Sequence, residues 1–262
     1  MQKPTFRLRA ATGLLLLPIV FGCPCIFAQK PRPEFKALVL TERGGLHEPF
    51  VAAALPWLER LAAEKHFSLK VLNKADQIDE ALLADCGVFI QLNFPPYTWS
   101  DRAMAAFRKY IEEGKSGGWV GFHHATLLGE FDGYPMWGWF SGFMGGIRFK
   151  DYIAGMASGR VNVEDDTHPC MRGVPSTLVI ENDEWYTYDR SPRPRVRVLA
   201  SVDEASYRPA SEIRMGDHPV VWTNEAMKAR NLYIFMGHDK ALFQNQAYTT
   251  LVRNAILWAA GR

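Results

Sequence analysis

Short apolar runs alternate with amphipathic segments over the first half of the chain. The runs that predict strands are Lys36–Thr41, Ser68–Asn73, Cys86–Leu92 and Trp119–Phe122. Apolar residues at helical spacing between them predict helices over Pro49–Lys65, Ile78–Ala84 and Asp101–Glu113. Strands that alternate with helices indicate right-handed βαβ units and a mostly parallel sheet.

The second half of the chain has shorter strand signals and longer polar loops. Tyr134–Ile147 is rich in glycine and aromatic residues and predicts a short helix followed by an irregular loop. Further strands are predicted at Arg160–Glu164, Ser176–Glu181, Val196–Val202, Val220–Thr223 and Leu232–Met236. A helix over Gln246–Ala260 closes the chain. No repeat or linker interrupts the pattern, so we expect one α/β domain over residues 29–262.

Residues 1–28 have the pattern of a secretory signal peptide. A basic start is followed by the short apolar stretch Leu14–Phe21, and the small residue Ala28 precedes the expected cleavage point. The apolar stretch is too short to cross a bilayer. We therefore expect a periplasmic or secreted protein. A lipoprotein anchored at Cys23 is the second choice, because bulky Phe21 and the later Ala28 fit it less well.

The charge of the chain bears on its binding partners, and its cysteine content bears on disulfide bonds. The chain has 30 Lys and Arg against 28 Asp and Glu. The leader holds Lys3, Arg7 and Arg9 and no acidic residue, so the mature chain is slightly acidic. That balance gives no support for a nucleic-acid partner or an anionic membrane surface, and no later segment is long and apolar enough to be transmembrane. Cys86 and Cys170 remain after cleavage, and their pairing stays open.

Polar and aromatic residues follow several of the predicted strands. His123-His124 ends the fourth apolar run, and ligands of open α/β sheets bind beyond the carboxyl ends of the strands. Other reactive groups in equivalent places are His47, Asn93, Asp183-Glu184-Trp185-Tyr186 and Gly237-His238-Asp239. Parallel strands would bring these loops to one edge, provided that the strands of the second half run in the required direction.

Two kinds of chemistry fit this set of residues. Neighbouring side chains on a strand point to opposite faces, so His123 and His124 cannot both point into one pocket unless the strand has already ended, and His123 is favoured as the residue in the site. Three imidazoles and a carboxylate suit zinc or a similar divalent ion, although no HxH or HExxH spacing is present. Without a metal, the same groups suit general acid–base catalysis.

Aromatic residues near the expected site allow two interpretations. The candidates are Trp137, Trp139, Trp185, Tyr186 and Tyr188. Their rings could stack on a sugar while Asp183, Asn93 or Glu184 binds its hydroxyls. They could equally cover the edge of the sheet.

Several of these motifs, in this order, resemble the ThuA-like (trehalose-utilisation) family. The matching stretches are Gly117–His123, His168-Pro169 with Gly173-Val174-Pro175, Asp183–Tyr186, Asp217–Trp222 and Gly237–Asp239, together with His47. The resemblance implies an α/β, flavodoxin-like fold of the class I glutamine amidotransferase type, a three-layer sandwich with a mostly parallel central sheet. In amidotransferases the turn after the fourth strand carries a nucleophilic cysteine. Here His123 takes that place, so glutaminase chemistry through a thioester is not expected.

The resemblance also implies sugar handling. It points to an exported hydrolase or lyase that acts on a glycoside or 3-keto-sugar, with His123, Glu184 and His238 as the catalytic group. The same three residues are the expected ligands if a divalent metal such as zinc is bound. The expected substrate contacts are His47, Asn93, His124, Asp183, Trp185, Tyr186 and Asp239. The alternative is a non-catalytic carbohydrate-binding or accessory protein that works with a sugar dehydrogenase. Whether the chain forms a homo-oligomer is left undecided by the sequence.

Overall fold

The computed structural model describes residues 1–2, 33–42 and 44–262. Apart from its first two residues, the predicted leader lies outside the described residues, as do Cys23 and Cys25. Within the described part, the helices are α1 (Glu48–Glu64), α2 (Glu80–Ala84), α3 (Asp101–Glu113), α4 (Gly138–Phe143) and α5 (Gln246–Ala259). The strands are β1 (Lys36–Thr41), β2 (Ser68–Leu72), β3 (Val88–Leu92), β4 (Gly118–Phe122), β5 (Phe149–Tyr152), β6 (Ala157–Val163), β7 (Thr177–Asp183), β8 (Tyr186–Tyr188), β9 (Arg197–Arg208), β10 (Pro219–Thr223) and β11 (Asn231–Ile234).

Nine of the described strands form one sheet in the order β2-β1-β3-β4-β11-β10-β9-β6-β7. The pairs from β2 to β11 are all parallel, which confirms the βαβ organisation of the first half. The pairs from β11 to β7 are all antiparallel. Because the direction reverses at each of these four steps, β7 points the same way as β4 and β11. The carboxyl end of β7 is therefore at the same edge as theirs.

Helices cover both faces of the parallel half. Phe50 of α1 packs on Phe122 of β4, with ring centroids 6.4 Å apart. Phe107 of α3 packs on Trp119 of the same strand, also at 6.4 Å. Residues 119 and 122 project to opposite sides of a strand, so α1 and α3 lie on opposite faces. This arrangement confirms the expected three-layer α/β fold.

The antiparallel half curls back over the carboxyl edge of the sheet. Four steps separate β7 from β11, which is about 19 Å in a flat sheet at about 4.8 Å per strand. The Asp183 carboxylate at the end of β7 nevertheless accepts hydrogen bonds from the backbone of residues 237–239, just beyond β11. The curl therefore brings the residues after β7 against the residues after β11.

Two short strands escaped the sequence-based prediction. β5 and β8 pair antiparallel as a separate two-stranded sheet. The FKDY sequence of β5 is polar and largely exposed, so it carries no strand periodicity. β8 lies wholly buried in a stretch predicted as a loop. The prediction also ended β9 six residues too early, at Val202 instead of Arg208.

The long strand β9 carries a buried carboxylate at Glu204. His218 Nδ1 lies 2.9 Å from its Oε1, and the backbone N–H groups of Met215 and Gly216 donate to its two oxygens. Burial alone would raise the pKa of Glu204, but these hydrogen bonds hold it below its usual range. Glu204 thus ties the loop before β10 to the sheet.

Replacement of Glu204 by glutamine should destabilise the protein in a pH-dependent way. We expect a loss of about 1–3 kcal/mol at pH 7, because the neutral side chain no longer matches its three donors. The folded pKa is lowered, so the stabilisation is present above the unfolded pKa and disappears as the pH falls through the folded value. Urea unfolding at pH 7 and pH 4 measures this difference. An equal penalty at both pH values would contradict the prediction.

The described cysteines, Cys86 and Cys170, are both free and buried. Burial raises the pKa of Cys86 to about 11 and that of Cys170 to about 12. Both are therefore structural thiols rather than nucleophiles at neutral pH. No helix in the described ranges combines the length and apolar character needed to cross a bilayer.

Candidate functional site

His123 stands where β4 ends and is completely buried. Its φ of +41° lies in the left-handed region, which a residue with a side chain adopts at a cost. Nδ1 lies 3.0 Å from the carbonyl oxygen of Phe235, which follows β11. A carbonyl can only accept, so Nδ1 carries the hydrogen and Nε2 has a free lone pair. The Tyr233 hydroxyl donates to the His123 carbonyl and helps to fix this backbone position.

Two more imidazoles approach His123 from neighbouring segments. His47 directly precedes α1, which Pro49 in its first turn helps to begin. His238 follows β11. The ring of His47 is centred 5.1 Å from that of His123 and 4.5 Å from that of His238. All three rings are buried.

Glu184, directly after β7, completes this group. Its Oε2 lies 3.2 Å from Nε2 of His123 and 3.6 Å from Nδ1 of His238. The Glu184 side chain is 19% exposed, whereas His123 is inaccessible, so the group opens to solvent on the glutamate side. We call His47, His123, Glu184 and His238 the histidine–glutamate cluster.

The surroundings of the four side chains shift their pKa values in different directions. Complete burial lowers the pKa of His123 to about 3, against the opposing contact with Glu184. Burial also lowers the pKa of His47, with Glu42 opposing it. Burial would lower the pKa of His238 as well, but the Glu184 carboxylate outweighs it and raises that pKa. Burial would raise the pKa of Glu184, but its histidine contacts hold it well below its usual range. At neutral pH the site therefore combines the neutral imidazoles of His47 and His123 with the Glu184 carboxylate, while His238 holds its proton more tightly than an ordinary histidine.

Glu42 is a site residue that the sequence analysis missed. Its Oε2 lies 3.3 Å from Nδ1 of His47 and 3.1 Å from Nδ1 of His124. Burial would raise the pKa of Glu42, but the two histidines lower it to about 2. The available signal was a carboxylate one residue after the first predicted strand.

Strand alternation, on which the preference for His123 rested, does not separate His123 from His124. β4 ends at Phe122 and the next residues form a 3-10 helix, His123–Thr126, so strand alternation does not apply. The two rings stack with centroids 5.3 Å apart, and His124 lies 3.8 Å from His47. Both histidines therefore belong to the same edge.

Two predicted substrate contacts instead support the backbone of the site. Asp183 is fully buried, and burial raises its pKa to about 7 while N–H groups of the 237–239 loop limit the rise. The Asn93 side chain donates to the Gly237 carbonyl at 2.6 Å. A Cβ at Gly237 would stand 2.8 Å from that of His123, so the close approach of this loop requires glycine.

The predicted stacking residues do not offer free faces in this structure. Trp185 is buried, and its ring stacks on Phe235 at 5.6 Å. Tyr186 is equally buried, 4.8 Å from the His123 ring. Trp137 and Trp139 pack beside Phe107 of α3, on one face of the sheet. The partly exposed Asp239 caps the next turn through Ala241.

A different aromatic group is linked to the cluster through intervening rings. Tyr97, after β3, contacts Phe131 and Tyr134, with ring centroids 5.3 Å and 6.0 Å away. Ring contacts continue from Phe131 through Phe149 to Tyr186, which touches His123. Tyr134 is 47% exposed. We call Tyr97, Phe131 and Tyr134 the aromatic platform. Sequence reasoning missed it because these loops lack periodicity.

Two groups among the described residues have the composition and spacing of metal ligands. One is the histidine–glutamate cluster, and the other is Glu42, His47 and His124. In each group, the potential ligand atoms lie within 4.8 Å of one another. The prediction named His123, His238 and Glu184 as the metal ligands and placed His47 among the substrate contacts.

Comparison with known families agrees with the order of motifs. The sequence profile of the ThuA family, described as trehalose utilisation, matches residues 36–259. The chain belongs to the ThuA family. This membership confirms the resemblance and associates the chain with carbohydrate metabolism. No curated protein sequence matches the chain.

Solved structures agree with the ThuA assignment. A ThuA-like protein from Bacteroides uniformis is 29% identical with a TM-score of 0.76, covering 91% of this chain and 95% of its own. A ThuA-like protein from Parabacteroides merdae is 18% identical with a TM-score of 0.63, covering 87% and 90%. The glutaminase domain of Trypanosoma brucei CTPS is 11% identical with a TM-score of 0.51, covering 87% and 94%. The last two likenesses show the fold alone.

Proposed function

We propose that this ThuA-family protein is an enzyme that acts on a glycoside or 3-keto-sugar through its histidine–glutamate cluster. The observation that supports it most is the convergence of three buried imidazoles and Glu184 at the carboxyl edge of the sheet. Burying polar groups costs free energy of folding. A cluster of this kind therefore indicates a function rather than a requirement of the fold. The carbohydrate substrate class follows from the family.

The cluster suits proton transfer beside a sugar carbonyl. A base takes the proton from the carbon next to the keto group, and the glycosidic oxygen departs from the adjacent carbon with a proton from an acid. Glu184 is ionised and partly exposed, so its carboxylate can reach a substrate and accept the proton. His238, whose pKa is raised, suits the acid. His123 is too deeply buried to reach substrate and acts on Glu184.

The aromatic platform suits a pyranose ring. Its exposed member Tyr134 offers a flat face to the apolar side of a sugar. The Tyr97 hydroxyl lies 3.4 Å from the Asp132 carboxylate. Polar groups beside an aromatic face are the usual composition of a carbohydrate site.

Turnover assays test the proposed function. The wild-type protein is incubated with glycosides and their 3-keto derivatives, and released sugar is measured. We expect turnover of at least one class and a loss of turnover in His238→Gln with ligand binding retained. His66→Gln is the control, because His66 is exposed at the end of α1. Sugar binding without turnover in the wild type would favour the accessory-protein alternative.

Replacement of Tyr134 by alanine should weaken substrate binding. We expect KM to rise about 3- to 10-fold with kcat little changed, since an aromatic contact contributes about 0.5–1.5 kcal/mol. Tyr152→Ala removes a similarly exposed tyrosine outside the platform and should leave KM unchanged. Unchanged KM in Tyr134→Ala would show that the sugar lies elsewhere.

We further propose that the protein is exported and works in the periplasm or outside the cell. The support is the pattern of residues 1–28. Fractionation of the expressing cells, with mass determination of the mature chain, tests this. Cleavage after Ala28 is the expected result, and a chain retained in the cytoplasm with its leader would contradict it.

A further inference from the structure

We propose that His47, His123, His238 and Glu184 together bind one divalent transition-metal ion of the zinc class. The binding site follows from geometry and does not rest on the acid–base roles proposed above, since a His238 nitrogen or a Glu184 oxygen that binds the ion cannot transfer a proton while it does so. It adds His47 as a ligand and Glu42 as its supporting partner.

The first argument is that two hydrogen-bond acceptors, one on His123 and one on Glu184, face each other at short distance. Nδ1 of His123 carries the ring hydrogen, because its partner is the Phe235 carbonyl. Nε2 therefore presents a lone pair to Oε2 of Glu184, 3.2 Å away. An ionised carboxylate oxygen also presents lone pairs. A positive charge between the two atoms, either a proton or a metal ion, would remove the repulsion between their lone pairs.

The second argument comes from nitrogen atoms that lack partners. Nδ1 of His47 faces Glu42, which leaves Nε2 buried without a hydrogen bond. Nδ1 of His238 is also buried without one, because Glu184 at 3.6 Å is beyond hydrogen-bond range. A shared proton between His123 and Glu184 would leave both atoms unsatisfied. One metal ion would satisfy all of them.

The spacing fits a single ion. Zinc binds nitrogen and carboxylate oxygen at about 2.0–2.2 Å, which places tetrahedral ligand atoms about 3.3–3.6 Å apart. The separations from Glu184 Oε2 to the two histidine nitrogens are 3.2 Å and 3.6 Å. All four residues can offer atoms within 4.8 Å of one another.

The outer partners have the arrangement found around metal-bound histidines. The second ring N–H of such a histidine donates to a carbonyl or carboxylate oxygen, which fixes the tautomer. His123 donates to the Phe235 carbonyl, and His47 donates to Glu42. Three imidazoles and one carboxylate favour Zn²⁺, Co²⁺ or Ni²⁺ over Mg²⁺ and Ca²⁺, which prefer oxygen ligands.

The second group, Glu42 with His47 and His124, serves as support rather than as another site. Oε2 of Glu42 lies 3.3 Å and 3.1 Å from the two Nδ1 atoms. Two N–H donors satisfy this oxygen without an ion. His124 thereby orients Glu42, and Glu42 orients His47.

Metal titration of the purified, chelator-treated protein tests the site. We expect one equivalent of Zn²⁺ per chain by calorimetry, and Co²⁺ spectra typical of four-coordinate nitrogen and oxygen ligation. His47→Gln and Glu184→Gln should each weaken binding at least about tenfold, the lower range for altered metal-site partners. His66→Gln should bind like the wild type, and circular dichroism checks the fold of each variant.

Two results would overturn the proposal. One is the absence of saturable 1:1 binding, which would assign a shared proton to the His123–Glu184 contact. The other is equal affinity in wild type, His47→Gln and Glu184→Gln. Titration measures no turnover, so 1:1 binding by a protein inactive on sugars would support the metal site and contradict the proposed function.

Discussion

Glu184→Gln should reduce turnover by about 10²–10⁴-fold, the range for loss of a general acid–base group. Its carboxylate is the group that touches both His123 and His238 and also reaches solvent. Glutamine has the same shape but neither the charge nor the basicity. The assay is steady-state kinetics on the substrate that the wild type converts, with sugar affinity measured separately by calorimetry.

Glu181→Gln is the matched control, because Glu181 is an exposed glutamate on the same strand end. It should keep wild-type kinetics. If Glu184→Gln retained more than about a tenth of wild-type turnover, the loss would fall below the range for an acid–base group. The catalytic role of the cluster would then be wrong.

Asp183→Asn should destabilise the fold by about 1–3 kcal/mol, the cost of leaving a buried donor unsatisfied. Oδ1 of Asp183 accepts from His238 and Asp239, and Oδ2 accepts from Gly237 at 3.1 Å. An amide NH₂ in either place would face a backbone N–H. We also expect turnover to fall, because the displaced loop carries His238. Urea unfolding at pH 8, above the pKa of about 7, measures the effect on the ionised form.

Asp239→Asn provides the comparison for this variant. Asp239 is an acidic residue of the loop that Asp183 holds, is partly exposed, and caps the following turn through Ala241. Asparagine caps about as well as aspartate, and the other contact of Asp239, with the Asn182 amide, is exposed, so stability should change little. Equal losses in the two variants would show that burial of Asp183 has no special importance.

The parallel half of the fold was predictable because its signals are local. The predicted bounds of β1 and α3 match the structure, in which Ser100 caps α3. Runs that are buried on both faces read as continuous apolar segments, and helix caps depend on single residues. The positions of His47, His123 and His238 after their strands or before a helix follow from the same pattern.

The rest of the site depends on contacts between residues that are far apart in the sequence, which no local pattern predicts. The curl that brings Glu184 to His123 accumulates over four antiparallel pairings. The partnership of Glu42 with His47 and His124 depends on side-chain direction after β1. Burial distinguishes the two interpretations of Trp185 and Tyr186: in this structure both side chains are buried and pack within the sheet beside His123.

The scattered origin of the cluster has a consequence for folding kinetics. Its members come from residues 47, 123, 184 and 238, so every pair is separated by a long loop. Bringing the ends of such loops together carries an entropic cost that local contacts avoid. We therefore expect the cluster to assemble late, after the parallel strands and the curled half have both formed. A nascent chain that has not reached β11 also lacks His238. It cannot yet hold the complete cluster, so a complete cluster indicates a chain that has finished folding.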